Sequence, residues 1–240
     1  MNGPTLLAVA HGSKHPAATA TIRALASEVE RLAPVLDIQV AFVQDAKPSL
    51  PEALDAAGPD VVIVPLLLST GYHLTTDIAG AATAIDTAIT AGGMLAPRVA
   101  GPLGPDPLLV TALMGRLAEA GVPDGTPVVL AAAGSSDPQA ADDVQAQANL
   151  LAPALGAPVV VGYAAVGRPT VSEAVAGLRA RTGRPVAVAT YLLAPGQFHD
   201  RLAQSGADWV TAPLGDHPAI AALVIDRYRT NRAPAARAAA

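Results

Sequence analysis

The sequence contains no cysteine. That absence excludes disulfides, thiolate metal sites and cysteine nucleophiles together, and leaves His, Asp and Glu as the protein ligands for any metal. Aromatic residues make up only 3% of the chain, so there is no platform for stacking bases, and any core is built from small aliphatic side chains. Charge is scarce as well, at 15%. The 15 Lys and Arg are outnumbered by 20 Asp and Glu, for a net charge of −5, and no basic stripe is present. A nucleic-acid partner is therefore not expected. No apolar run approaches the roughly 20 residues needed to cross a bilayer. The longest, residues 61–68, reads as a buried strand. The first residues carry no positive segment, and residues 6–10 are too short for a signal-peptide core. The expectation is a soluble, cytoplasmic protein with no membrane partner.

What the chain does have is apolar bulk: 51% of its 240 residues are hydrophobic, too many for a disordered chain. The length suits one large domain or two of roughly 100 to 120 residues each. Short apolar runs alternate with longer Ala-rich stretches of helical spacing. Strands are predicted at residues 5–10, 38–43, 61–67, 94–99, 128–132, 159–161, 186–191 and 209–211. Helices are predicted at 18–32, 49–57, 75–90, 107–120, 139–151, 171–181, 199–204 and 218–228. Strands alternating with helices imply parallel βαβ units with helices on both faces of the sheet.

An internal repeat organises this pattern. Leu6-Leu7-Ala8-Val9-Ala10-His11-Gly12-Ser13-Lys14-His15-Pro16 is matched by Val128-Val129-Leu130-Ala131-Ala132-Ala133-Gly134-Ser135-Ser136-Asp137-Pro138. Lys47-Pro48 with Glu52-Ala53 is matched by Arg168-Pro169 with Glu173-Ala174. Leu67-Leu68-Ser69-Thr70-Gly71 is matched by Leu192-Leu193-Ala194-Pro195-Gly196, and Pro102-Leu103-Gly104 by Pro213-Leu214-Gly215. Four anchors in one order predict two tandem Rossmann-like α/β domains, residues 1–120 and 126–230, each a roughly four-stranded parallel sheet flanked by helices. A turn-rich linker joins them, and residues 231–240 form a flexible tail.

In open parallel sheets ligands bind beyond the carboxyl ends of the strands, where strand order reverses. His11 directly follows the first strand, and His73 lies in the loop leaving the third. In a 2-1-3-4 strand order both imidazoles rise from one sheet edge, beside Gly12 and Gly71. Two neutral imidazoles converging on one spot can hold a divalent metal or shuttle protons near neutral pH. The repeat is asymmetric here: the counterpart of His11 is Ala133. The first half thus carries the chemistry and the second supplies a wall of the cleft. His199 falls one or two positions from the counterpart of His73, either facing the cleft or exposed. Ser13 and Ser135 are placed to cap the helices that follow.

These residues resemble a known family, the sirohydrochlorin chelatases, class II tetrapyrrole metal chelatases, in their long two-domain form. The resemblance lies in strand-His11-Gly12-Ser13-x-x-Pro16, in Pro65-Leu66-Leu67-Leu68 followed by Gly71-x-His73, and in Gly101-Pro102-Leu103-Gly104. Leu193-Ala194-Pro195-Gly196-x-Phe198-x-Asp200-Arg201 adds a second-half match. It implies two chelatase-like domains facing across a cleft, and an ATP-independent enzyme that inserts Co2+ or Fe2+ into sirohydrochlorin for siroheme or cobalamin synthesis. No nucleotide cofactor is implied, and Ni2+ fits imidazole as well. The metal-binding histidines carry over onto His11 and His73. The sequence departs from the family at His15, where an acidic residue is common, and at Tyr72, where a basic residue often stands. A polycarboxylate substrate calls for cations and helix N-termini. Gly12, Ser13, Lys14, Lys47, Arg168, Arg201 and His199 are the candidate substrate-binding residues. The partner is then a small tetrapyrrole, and the protein a monomer or weak homodimer. Two alternatives compete. A histidine phosphoryl-transfer enzyme would want an Arg against His11, where Ala10 stands. A non-catalytic metal or tetrapyrrole carrier would share the two-lobed fold.

Overall fold

The computed structural model describes residues 3–58, 60–70 and 97–232. The helix predicted at 75–90, the start of the strand predicted at 94–99, and Gly71, Tyr72 and His73 lie outside the described residues. The first half holds β1 (Thr5–Ala10), α1 (Pro16–Leu32), β2 (Ile38–Phe42), α2 (Leu50–Ala57), β3 (Val61–Pro65), β4 (Arg98–Val99) and α3 (Pro107–Glu119). The second holds β5 (Val128–Ala132), α4 (Pro138–Leu155), β6 (Val159–Tyr163), α5 (Val171–Thr182), β7 (Ala187–Tyr191), α6 (Gln197–Leu202), β8 (Trp209–Val210) and α7 (Pro218–Asn231). Each half forms one four-stranded parallel sheet, in the order β2-β1-β3-β4 and β6-β5-β7-β8. The predicted 2-1-3-4 order thus occurs twice.

The apolar strand runs follow from burial on both faces. Along β1, Leu6, Ala8 and Ala10 enter a central core, while Leu7 and Val9 pack with Leu50, Ala53 and Leu54 on the α2 side. Along β5, Val128, Leu130 and Ala132 enter the same central core, and Val129 and Ala131 pack with Val171, Val175 and Leu178. Local signals set the helix starts. Proline stands in the first turn of α1, α3, α4 and α7, where its missing N–H costs nothing. Capping boxes open α2 (Ser49 with Glu52) and α5 (Thr170 with Glu173).

The central core is shared because the halves exchange their last helices. α7 packs on α1 and β3 of the first half, α3 packs on α4 and β7 of the second, and the two touch each other. Leu109, Leu113, Ile220 and Leu223 are fully buried in this layer, each contributing about 2 kcal/mol by leaving water. A pair of arginines repeats the exchange: Arg116 Nη2 donates to Leu214 O at 2.9 Å, and Arg227 Nη2 to Leu103 O at 3.0 Å. Neither arginine nor the exchange is apparent from strand and helix patterns. Among the described residues no helix is long and apolar enough to cross a membrane.

Candidate active site

The carboxyl ends of β1 and β3 face those of β5 and β7 across a cleft. Its geometry begins at two glycines. Gly12 has φ +95° and Gly134 φ +90°, values that side chains with a Cβ rarely adopt. A Cβ on Gly12 would lie 1.7 Å from Gln44 O, and one on Gly134 1.7 Å from Val166 O. Each glycine therefore lets the turn after the first strand of its lobe press against the turn after the second. Ser13 and Ser135 brace these turns, accepting from the N–H groups of His15 and Asp137 at 3.1 Å each. This corrects the expected capping role. The N-caps of α1 and α4 are His15 and Asp137, and Asp137 caps with its own carboxylate.

His11 is brought against Gln44, with Gln44 Nε2 and His11 Nε2 2.9 Å apart. An amide nitrogen can only donate, so in this arrangement His11 Nε2 is the acceptor. Gln44 escaped the sequence reading. The signal that could have found it is the one that found His11: a polar side chain just beyond the carboxyl end of a strand, here β2.

Among the described residues the cleft shows two compartments. One, about 720 Å³, lies between residues 10–16 with 42, 44 and 45 on the first lobe and residues 192–199 on the second. The other, about 710 Å³, lies between residues 66–70 on the first lobe and residues 132–136, 163 and 166–168 on the second. Both fall in the range of small-molecule sites. His11, Leu66, Leu192 and Leu193 line both. Tyr191 pins the lobes together at this floor, its hydroxyl donating to Leu68 O at 2.8 Å. Burial, with Asp143 and Asp106 nearby, pushes this phenol up, so it stays a neutral donor. Asp143 makes a second tie, accepting from Thr70 N at 2.7 Å.

Among the predicted site residues, His11, Gly12, Ser13, Lys14 and His199 come together around the first compartment, and Arg168 lines the second. His15 also lines the first. His199 is committed to the backbone, with Nε2 3.2 Å from Thr211 O. Lys47 is not among the lining residues. It pairs with Glu52 at 2.6 Å and is 73% exposed. Lys47 and Ser49 together hold the Glu52 carboxyl down to about 2. Arg168 is tied in the same way to Glu173. Arg201 stands outside the lining, with its guanidinium over the Phe198 ring 5.9 Å from the centroid. His73 lies outside the described residues. Among the described residues no group of three or more His, Asp or Glu could hold a metal ion.

Comparison with known proteins adds to this geometry. A model of the CbiX family matches residues 5–120 and again residues 127–231. A sirohydrochlorin cobaltochelatase from Methanosarcina barkeri is 27% identical over 123 residues, 48% of this chain and 95% of that relative. SirB from Bacillus subtilis with Fe3+ has a TM-score of 0.82 at 23% identity, covering 96% of each chain. The sirohydrochlorin chelatase SirB from Bacillus subtilis subspecies spizizenii, in complex with cobalt, has a TM-score of 0.78 at 21% identity, with 96% of this chain and 95% of that one covered. At such identities the likeness to the solved structures is one of fold.

Proposed function

The chain belongs to the CbiX family, and on that footing we propose that it inserts a divalent metal, Co2+ or Fe2+, into sirohydrochlorin without a nucleotide. The observation that carries this reading is His11: an imidazole at a strand's carboxyl end, held by Gln44 and opening on both compartments of the interlobe cleft. Support comes from the cobaltochelatase activity named for the Methanosarcina barkeri relative.

The chemistry suits these residues. As M2+ enters the macrocycle, two ring N–H bonds break, four metal–nitrogen bonds form, and both protons must leave. The lone pair on His11 Nε2 can bind the incoming ion or accept one of those protons. Gln44 orients that lone pair and yields it when the ion or proton arrives. A ligand set short of a closed cage favours transfer, since the metal must leave the protein. We assign His73 as the second metal and proton group from its place in the sequence. Imidazole serves Co2+, Fe2+ and Ni2+ alike, so the donors alone do not select among them. Lys14 beside Gly12 and Ser13, and Arg168 in the second compartment, supply cations for the substrate's carboxylates. In this reading the enzyme works in the cytoplasm, as a monomer or weak homodimer, because one chain supplies both walls of the cleft.

The test is the absorbance of anaerobic sirohydrochlorin with catalytic protein and, separately, Co2+, Fe2+ and Ni2+. The expected result is conversion of many equivalents above background. A spectral change that stops at one equivalent would instead assign a carrier, and no change with folded protein would overturn the reading.

A further inference from the structure

The second lobe offers the cleft nothing like the His11–Gln44 pair. Ala133 stands in place of His11, and Val166, whose carbonyl meets Gly134 as that of Gln44 meets Gly12, stands in place of Gln44. The loops after β3 and β7 also correspond. The carbonyls of Leu67 and Leu192 accept from Leu103 and Leu214 at 2.8 Å each. Counting on from Gly71 and Gly196 places Phe198 opposite His73 in the sequence. At each of these positions a polar group of the first lobe has given way to an apolar one.

Two of these replacements are large and uncovered, Val166 at 49% exposure and Phe198 at 41%. Singly exposed apolar side chains are ordinary on a protein surface. These two sit on one wall of a ligand cleft, one in each compartment, while Leu32, Val35 and Leu150, exposed to a similar or greater degree, line neither. Phe198 also carries the Arg201 guanidinium over its ring. That wall joins apolar contact to a nearby cation, which is the chemistry of a flat, apolar ring edged with carboxylates.

We infer that the first lobe handles the metal while the second supplies the apolar wall that seats the macrocycle. The tetrapyrrole spans both compartments over the floor formed by Leu66, Leu192 and Leu193, against Val166 and Phe198, with Arg201 meeting a peripheral carboxylate. This rests on the proposed chelatase function and names the residues that recognise its organic substrate.

Metal-free sirohydrochlorin binding, followed by absorbance, and Co2+ binding to the unliganded protein, followed by calorimetry, separate the two roles. Phe198→Ala should weaken tetrapyrrole binding roughly ten-fold and Val166→Ala about three-fold, in proportion to the apolar area removed. Phe198→Leu should recover most of the loss. Both alanine variants should melt normally and bind Co2+ as the parent does. His11→Ala should lose Co2+ binding and keep the tetrapyrrole. Val35→Ala, at a 91% exposed position outside the cleft, should change neither. Unchanged tetrapyrrole affinity in Phe198→Ala and Val166→Ala, with the parent still metallating sirohydrochlorin, would overturn this inference alone. Folded parent protein that neither binds nor metallates sirohydrochlorin would overturn the functional reading and this inference with it.

Discussion

In the first lobe β1 runs into His11, and Gly12 packs under the carbonyl of Gln44; in the second, β5 runs into Ala133, and Gly134 packs under the carbonyl of Val166. The backbone of the turn has been kept twice, and its chemistry once. A backbone that needs φ near +90° and a carbonyl in the space of a Cβ admits only glycine, whatever the site does. The imidazole is under no such constraint, and its presence in one lobe alone is what the proposed function draws on. Glycine here reports the frame, and the residue before it reports the use.

The comparison breaks most severely at the glycines. Gly12→Ala and Gly134→Ala each force a Cβ to within 1.7 Å of a backbone oxygen. Each should cost about 3 kcal/mol or more of stability, read by urea denaturation. A large loss in one lobe and none in the other would show that the turns are not equivalent. His11→Ala comes next. Metal insertion should fall by about 100-fold or more, with the melting curve unchanged. Ala133→His should gain nothing, because no Gln44 stands beside it. Comparable activity in His11→Ala and the parent would remove the functional half of the comparison.

A smaller asymmetry lies at the roots of the opposing loops. Thr70 donates its N–H to Asp143 across the lobes, whereas its counterpart Pro195 has no N–H to give. At the position in α1 that corresponds to Asp143 stands Thr21, whose hydroxyl donates to Ala17 O of its own helix at 2.8 Å. Asp143 is 8% exposed. Asp143→Ala should therefore cost about 2 kcal/mol by removing that acceptor. Thr21→Ala should stay within about 0.5 kcal/mol. Equal losses would mean that the tie across the lobes is no more than local packing.

The frame was legible in the sequence because it rests on local signals. Fully buried strands read as unbroken Val, Leu and Ala runs, and Gly12 and Gly134 marked the same turn in each half. The place of His11 in the cleft lining was legible because it follows a strand directly. The exchange of α3 and α7 was not, because an apolar helix face such as Leu109, Leu113 and Leu117 does not say which sheet it covers. Gln44 and Asp143 were missed for a related reason. Each acts through a partner distant in sequence, His11 and Thr70, and no spacing rule links them. Lys47 was legible as a cation but not as the partner of Glu52, which holds it outside the cleft lining.

The smallest expected effect concerns the caps of the two exchanged helices. Asp106 caps α3, accepting from Leu108 N at 2.9 Å, and His217 caps α7, its Nδ1 accepting from Ala219 N at 3.1 Å. Nδ1 can accept only while it lacks a proton. Burial and the Arg116 guanidinium lower the His217 pKa below its ordinary 6.5, against the pull of Glu119 and Asp216. The unfolded chain therefore binds this proton more readily than the folded one between the lowered value and 6.5. The cap's contribution is fully present above pH 6.5 and fades as the pH falls through that window. Its loss is worth about 1 kcal/mol. In the parent, stability should decline by that amount on acidification below pH 6.5, before the carboxylates titrate. His217→Asn should remove the step, since an amide oxygen caps at either pH. Asp106→Asn, at the start of the other exchanged helix, should leave the step in place. A step that survives in His217→Asn would assign it to another group and leave the two caps alike in their response to pH.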